Sequence, residues 1–164
     1  DSGDILSHTL KINADRYTPI DEISIPTGDL PSVDGTPFDF REEKTIGRDI
    51  EEDFLQLKNG LGYDHNFCIA DFDGSLKTAA IAKADKSGIS MEVKTDLPGV
   101  QLYTGNFLDG TRAGKGGCTY DLRHAFCLET QQFPDAPNRA NFPSPVLKAG
   151  EKFEHLSRFS FSVI

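Results

Sequence analysis

The sequence has no tryptophan, a single methionine and only three cysteines. It also lacks any apolar run near the ~20 residues a helix needs to cross a bilayer, which excludes a transmembrane reading. The first residues, "DSGDILSHTL", have neither the basic flank nor the apolar centre of a secretory leader. Residue 1 is not methionine, so the chain begins at a processed end or at a truncation. Basic residues are scarce: 17 Lys and Arg stand against 26 Asp and Glu, a net charge of -9. Phosphate backbones and anionic membranes select basic surfaces, so no nucleic acid and no membrane is expected as a partner. A neutral small ligand fits better, although acidity alone does no more than favour solubility.

Cys68, Cys118 and Cys127 are odd in number and widely spaced, and no pair forms the close knuckle of a zinc site. Cys68 in "NFCIA" and Cys127 in "AFCLE" fall in strand-like runs. Reduced cysteines acting as small core residues are therefore expected, in keeping with a reducing cytoplasm.

Twelve Phe and four Tyr in 164 residues supply core enough for one domain. The dominant pattern is period-two alternation bounded by Gly, Pro, Asn and Asp. In "ILSHTLKINA", Leu6, His8, Leu10, Ile12 and Ala14 share one face. "ISMEVKT" places Ile89, Met91 and Val93 inward, and "LKTAAIAKA" and "GVQLYTGN" alternate less cleanly. The final run, "FEHLSRFSFSVI", alternates Phe153, His155, Ser157, Phe159, Phe161 and Val163 against polar partners. One segment departs from this pattern. In "TIGRDIEEDFLQLKN", Ile46, Ile50, Phe54 and Leu57 recur near a helical repeat and predict a short amphipathic helix. Many short strands with turn-rich connections predict an all-β, antiparallel β-sandwich or barrel with at most one or two short helices.

The four histidines are scattered, with no H-E-x-x-H spacing, and no G-x-S-x-G elbow occurs. His8 and His155 fall on apolar strand faces, where a hydrogen-bonded core histidine is the usual outcome. "GTRAGKGG" lacks the Lys-Ser/Thr ending of a phosphate loop and reads as a long hairpin loop. Three polar groups stand in suggestive places: Asp64 in "GLGYDHNFCIA", Gln101 in "PGVQLYTGNF" and Glu129 in "FCLETQ", with Gln131 on the same face as Glu129. Residue pattern alone favours structural roles. Asp64 could cap a turn, Gln101 could face solvent, and Glu129 could be an outward strand residue.

At these residues the sequence resembles the aldose 1-epimerase (galactose mutarotase) family. The matching strings, in the family's order, are "INADRYTPIDEISIPTG", "GTPFDFR", "GYDHNF", "PGVQLYTGNFLDGT", "CLETQQFPDAPN" and "FPSPVLKAGE". The resemblance implies a galactose mutarotase-like supersandwich in which a free hexose lies over one sheet. It implies that Glu129 is the general base and that Asp64 and Gln101 contact the sugar. The reaction opens the ring by taking a proton from the anomeric hydroxyl and delivering one to the ring oxygen, which calls for no metal and no organic cofactor. Partial burial of Glu129 would make it a better proton acceptor.

The family's general acid is a histidine in an "H-x-Y-F-N-L"-like block, and no such block occurs here. Residues 1–164 therefore resemble the carboxyl-terminal portion of a single mutarotase domain, truncated at the amino terminus. Three expectations follow from that resemblance. The fragment alone should be inactive, its sheet edges should be exposed, and it should aggregate, be marginally stable or need the missing amino-terminal half as a partner. The alternative is a non-catalytic sugar-binding or regulatory homologue on the same sandwich. An epimerase for sugar phosphates ranks lower, because no Arg or Lys cluster flanks Asp64 or Glu129.

Overall fold

The computed structural model describes residues 3–164, which form two antiparallel sheets. In chain order the strands are β1 (Thr9–Ile12), β2 (Ala14–Thr18), β3 (Lys44–Thr45), β4 (Asp64–Ile69), β5 (Lys77–Lys83), β6 (Ile89–Thr95), β7 (Gly99–Tyr103), β8 (Cys127–Gln131) and β9 (Ser157–Val163). One sheet has the order β3-β1-β5-β6-β9 and the other β2-β4-β7-β8. Leu10, Ile12, Ala80 and Val93 of the first sheet share a buried cluster with Tyr17, Phe67, Val100 and Leu102 of the second. The fold is a β-sandwich. Among the described residues no helix is long and apolar enough to cross a membrane.

Alternation translates directly into this packing for β7, where Val100 and Leu102 are buried and Gln101 lies on the opposite face. The run over residues 5–14 behaves differently, because it contributes to both sheets. β1 pairs with β5, whereas β2 pairs with β4. Asn13 makes the crossing: its N–H donates to Ala79 O at 2.8 Å and its carbonyl accepts from Ala70 N–H at 2.9 Å. Backbone pairing is thus kept while the chain changes sheet.

The expected helix over residues 45–59 is shorter than its apolar spacing suggests. Only α1 (Leu55–Gly60) is helical. The cause lies in tertiary pairing, since Ile46 N–H donates to His8 O and Gly47 N–H to Leu6 O, each at 2.9 Å. Ile46, Ile50 and Leu57 are buried as expected, but the first two arrive from turns.

Around this segment Lys44 is buried, with Nζ donating to Pro37 O and to Asp49 Oδ2, both at 2.6 Å, and lying 4.2 Å from the centre of the Phe40 ring. An ammonium so enclosed depends on its counter-charge.

β9 closes one edge of the larger sheet, but its apolar residues are not covered. Phe159, Phe161 and Val163 are exposed, as is Ile89 on β6, in contrast to the inward placement expected of that position. His155 is also exposed rather than set on a core face. The cysteines divide likewise: Cys68 packs against Phe133 and Phe142, whereas Cys118 and Cys127 are exposed, contrary to the expectation that all three would fill the core. All three are free thiols.

Replacing Asp49 with Ala should leave the Lys44 ammonium buried without its partner and destabilise the chain by about 3 kcal/mol. Urea unfolding of the Asp49→Ala variant measures this, and an unchanged midpoint would show the pair to be dispensable.

Candidate active site

Strands β4, β7 and β8 of the four-stranded sheet sort their side chains by parity. His65, Phe67, Val100, Leu102 and Leu128 point into the sandwich. Asp64 and Asn66 of β4, Gln101 and Tyr103 of β7, and Glu129 and Gln131 of β8 occupy the opposite face. The register pairs Asn66 with Gln101 and Gln101 with Glu129. Cross-strand neighbours of this kind lie within side-chain reach. Asp64, Gln101 and Glu129 are therefore gathered on three adjacent strands.

Hydrogen bonds tie most of this face together. Gln101 Nε2 donates to Asp64 Oδ1 at 2.8 Å, and Gln131 Nε2 donates to Gln101 Oε1 at 3.0 Å and to Asn66 Oδ1 at 3.1 Å. Asp64 is half-buried, and burial raises its pKa while the bond from Gln101 opposes that rise. The Cys127 thiol is also pushed up, first by burial and then by the charges of Glu129 and Asp64, so both carboxylates act on one neighbouring group.

Glu129 differs from the expectation of partial burial: it is exposed. The reason is topological, because β8 is an edge strand and no described strand lies beyond it. The face is correspondingly open. A hollow of about 600 Å³ lies elsewhere, lined in part by His8, Met91, Tyr120, His124 and Phe126, and includes none of Asp64, Gln101 and Glu129. Among the described residues no three His, Cys, Asp or Glu side chains gather closely enough to hold a metal ion.

Beneath this face, two buried polar clusters fix where β4 and β7 begin and end. Thr104, just past β7, donates from Oγ1 to Tyr63 O at 3.1 Å and accepts from Tyr63 N–H at 3.2 Å. Asn106 Nδ2 donates to Gly60 O at 2.5 Å and Tyr63 O at 3.0 Å, and Arg123 donates to Thr104 O, Asn106 Oδ1 and Leu61 O. Gly62 has φ +126°, and a Cβ there would meet the Arg123 guanidinium at 2.6 Å. The glycine thus serves both the turn before Asp64 and the close approach of Arg123.

The second cluster centres on His65. Its Nδ1 accepts from Asp64 N–H at 3.1 Å, and its Nε2 lies 3.1 Å from Gln56 Oε1. Since Nδ1 accepts, Nε2 carries the proton and donates to Gln56. Burial pushes the His65 pKa down to about 3.

Comparison with known proteins bears on what this face is for. The aldose 1-epimerase family model matches residues 1–160. The chain is 45% identical over 162 residues to the galactose mutarotase of Bos taurus, covering 99% of this chain and 46% of that protein. It is 38% identical over 164 residues to the aldose 1-epimerase of Escherichia coli, covering 98% of this chain and 46% of that one. The chain belongs to the aldose 1-epimerase family. Its structure superposes on that of the aldose epimerase homologue from C. elegans with a TM-score of 0.81 at 31% identity, covering 99% of this chain and 47% of the other. The chain thus spans about half the length of the epimerase-family relatives it matches.

Within this epimerase-family segment, the sequence singles out Asp64, Gln101 and Glu129 and gives no role to Asn66. Period two counted on from Asp64 would have placed Asn66 on the same face, as it placed Gln131 beside Glu129.

His65 makes acid sensitivity a measurable property of the β4 anchor. Its folded pKa lies below the ordinary 6.5, so the unfolded chain holds the extra proton between pH 6.5 and about 3. The stability it contributes is complete above pH 6.5 and is lost as pH falls through that window. The free energy of unfolding from urea titrations should fall between pH 6.5 and 5 with a slope approaching ~1.4 kcal/mol per pH unit from this group, and His65→Gln should flatten it. Equal slopes for parent and variant would contradict the assignment.

Proposed function

We propose that this chain carries the proton-accepting side of an aldose 1-epimerase active site acting on a free hexose such as galactose or glucose. The observation that carries the reading is the gathering of Asp64, Gln101 and Glu129 on one face of β4, β7 and β8, joined by the 2.8 Å bond from Gln101 to Asp64. Glu129 is the general base. Its exposed carboxylate takes the proton of the anomeric hydroxyl as the bond from carbon 1 to the ring oxygen breaks, and closure on the other carbonyl face returns the proton. Asp64 Oδ1 is occupied by Gln101, and Oδ2 is left to accept from a sugar hydroxyl. Seating these groups on strands of one sheet gives them the fixed geometry that proton transfer needs.

The ring oxygen must receive a proton as it leaves, and by resemblance to the family the donor is a histidine in a block that this sequence lacks. We therefore assign residues 1–164 to the carboxyl-terminal portion of one sandwich domain. The partner is the amino-terminal half of the same fold. The exposed stripe of Ile89, Phe159, Phe161 and Val163 supports this, since contiguous apolar surface of that kind marks an interaction site. Covering the open face beyond β8 would also supply the burial that Glu129 lacks here. Free thiols at all three cysteines fit a cytoplasmic location.

By polarimetry, the chain alone should leave galactose mutarotation at its spontaneous rate. Complementation with the amino-terminal half of a family member should restore catalysis. Glu129→Gln should then lower kcat by ~10²- to 10⁴-fold, with a smaller change in KM. Full turnover by the complemented Glu129→Gln variant would show that Glu129 is not the base, whereas galactose binding without turnover by the complemented parent would favour the non-catalytic sugar binder.

A further inference from the structure

The polar face contains one residue whose chemistry the proposed reaction does not use. Gln131 donates both Nε2 protons, one to Asn66 Oδ1 and one to Gln101 Oε1. An ionised carboxylate only accepts, so Asp64 requires the Nε2 end of Gln101. That turns Gln101 Oε1 toward Gln131, which must then present its own Nε2. The same group needs a second acceptor, and Asn66 supplies Oδ1. Asn66 is almost wholly buried, and its Nδ2 has no hydrogen-bond partner among the described residues. Leaving a buried donor unpaired is costly, so the orientation of Asn66 is dictated by the rest of the chain of amides. Gly99 permits the arrangement, because a Cβ at that position would overlap Asn66 Oδ1.

Only one other polarity is self-consistent. With all three amides reversed, Asn66 would donate to Gln131, Gln131 would accept from Gln101, and Gln101 Oε1 would face the Asp64 carboxylate. Two acceptors would then confront one another, so the charge on Asp64 selects the observed state.

We infer that Gln131, braced by Asn66, is a positioning residue that holds the Gln101 amide in the direction the Asp64 charge selects. A sugar hydroxyl then always meets the free Oδ2 of Asp64 beside an N–H of Gln101. This rests on the sugar-binding role proposed above for Asp64 and Gln101. It adds that their donor and acceptor pattern, selected by Asp64, is held in place by a third residue outside the contact.

The test separates the relay from the sugar site. In the sugar-free 164-residue chain, the Asp64 carboxyl is titrated by ¹³C NMR and the Gln101 side-chain NH2 is followed by ¹⁵N NMR. In Gln131→Glu, which cannot donate, the Asp64 titration should move up by about one pH unit as Gln101 turns its Nε2 toward the new carboxylate. In the neutral Gln131→Leu variant the shift should be smaller but in the same direction, with the Gln101 NH2 signals displaced. Unmoved Asp64 titration and unmoved Gln101 signals in Gln131→Leu would overturn the inference. Galactose titration of the same chains, each complemented by the amino-terminal half, should show ~10-fold weaker binding in Gln131→Leu, the equivalent of one lost hydrogen bond. If the parent chain complemented by the amino-terminal half binds no galactose while the sugar-free signals move as stated, the relay stands and the sugar-site reading fails.

Discussion

The antiparallel register of β4, β7 and β8 is the constraint on which this molecule's chemistry rests. Pairing Asn66 with Gln101 and Gln101 with Glu129 puts Leu102 and Leu128 into the core and their sequence neighbours onto the other face. A slip of one residue on any of these strands would bury a carboxylate or amide and expose an aliphatic side chain. The hydrophobic core therefore enforces the polar face. Buried polar clusters secure the strand ends: Thr104, Asn106 and Arg123 close the exit of β7 onto the entry to β4, and His65 accepts from the backbone N–H of Asp64 itself. Much of the hydrogen bonding that defines the site lies behind it.

The same sheet accounts for the different environments of the two carboxylates. Asp64, beside a central pair of strands, is half-buried and hydrogen-bonded. Glu129, on the edge strand, is open to solvent and free of protein partners among the described residues. One group is held in a fixed orientation by its hydrogen bond from Gln101. The other has the unencumbered lone pairs that a base needs, and its surroundings depend on what lies beyond β8.

Much of the fold could be read from alternation, because where a strand packs on one face only, the core selects every second residue. This worked for β7, whose polar and apolar faces part cleanly, and for Val93 of β6. It failed where burial is decided by distant chain. The run over residues 5–14 has one continuous apolar face yet serves two sheets, since Leu10, Ile12 and Ala14 are all buried in a core shared by both. The helical spacing of Ile46, Ile50, Phe54 and Leu57 is real, but backbone pairing of Ile46 and Gly47 with the segment before β1 overrides it. Phe159, Phe161 and Val163 alternate like core residues and are exposed, because alternation reports what a face is suited to meet, not what is present to meet it. Sequence pattern singled out Asp64, Gln101 and Glu129, and the family resemblance gave them roles. The amide chain through Gln131 to Asn66 was not legible, since the direction of a carboxamide is set by its partners across strands.

The proposed chemistry requires Glu129 to face the anomeric carbon of a bound hexose. A crystal structure of this chain, complemented by the amino-terminal half of the fold and soaked with galactose, addresses it directly. The account predicts the carbon 1 hydroxyl within hydrogen-bond reach of the Glu129 carboxylate, about 2.6–3.2 Å, with Asp64 and Gln101 on other hydroxyls of the same ring. Galactose seated elsewhere, or bound over this sheet with carbon 1 turned away from Glu129, would contradict it.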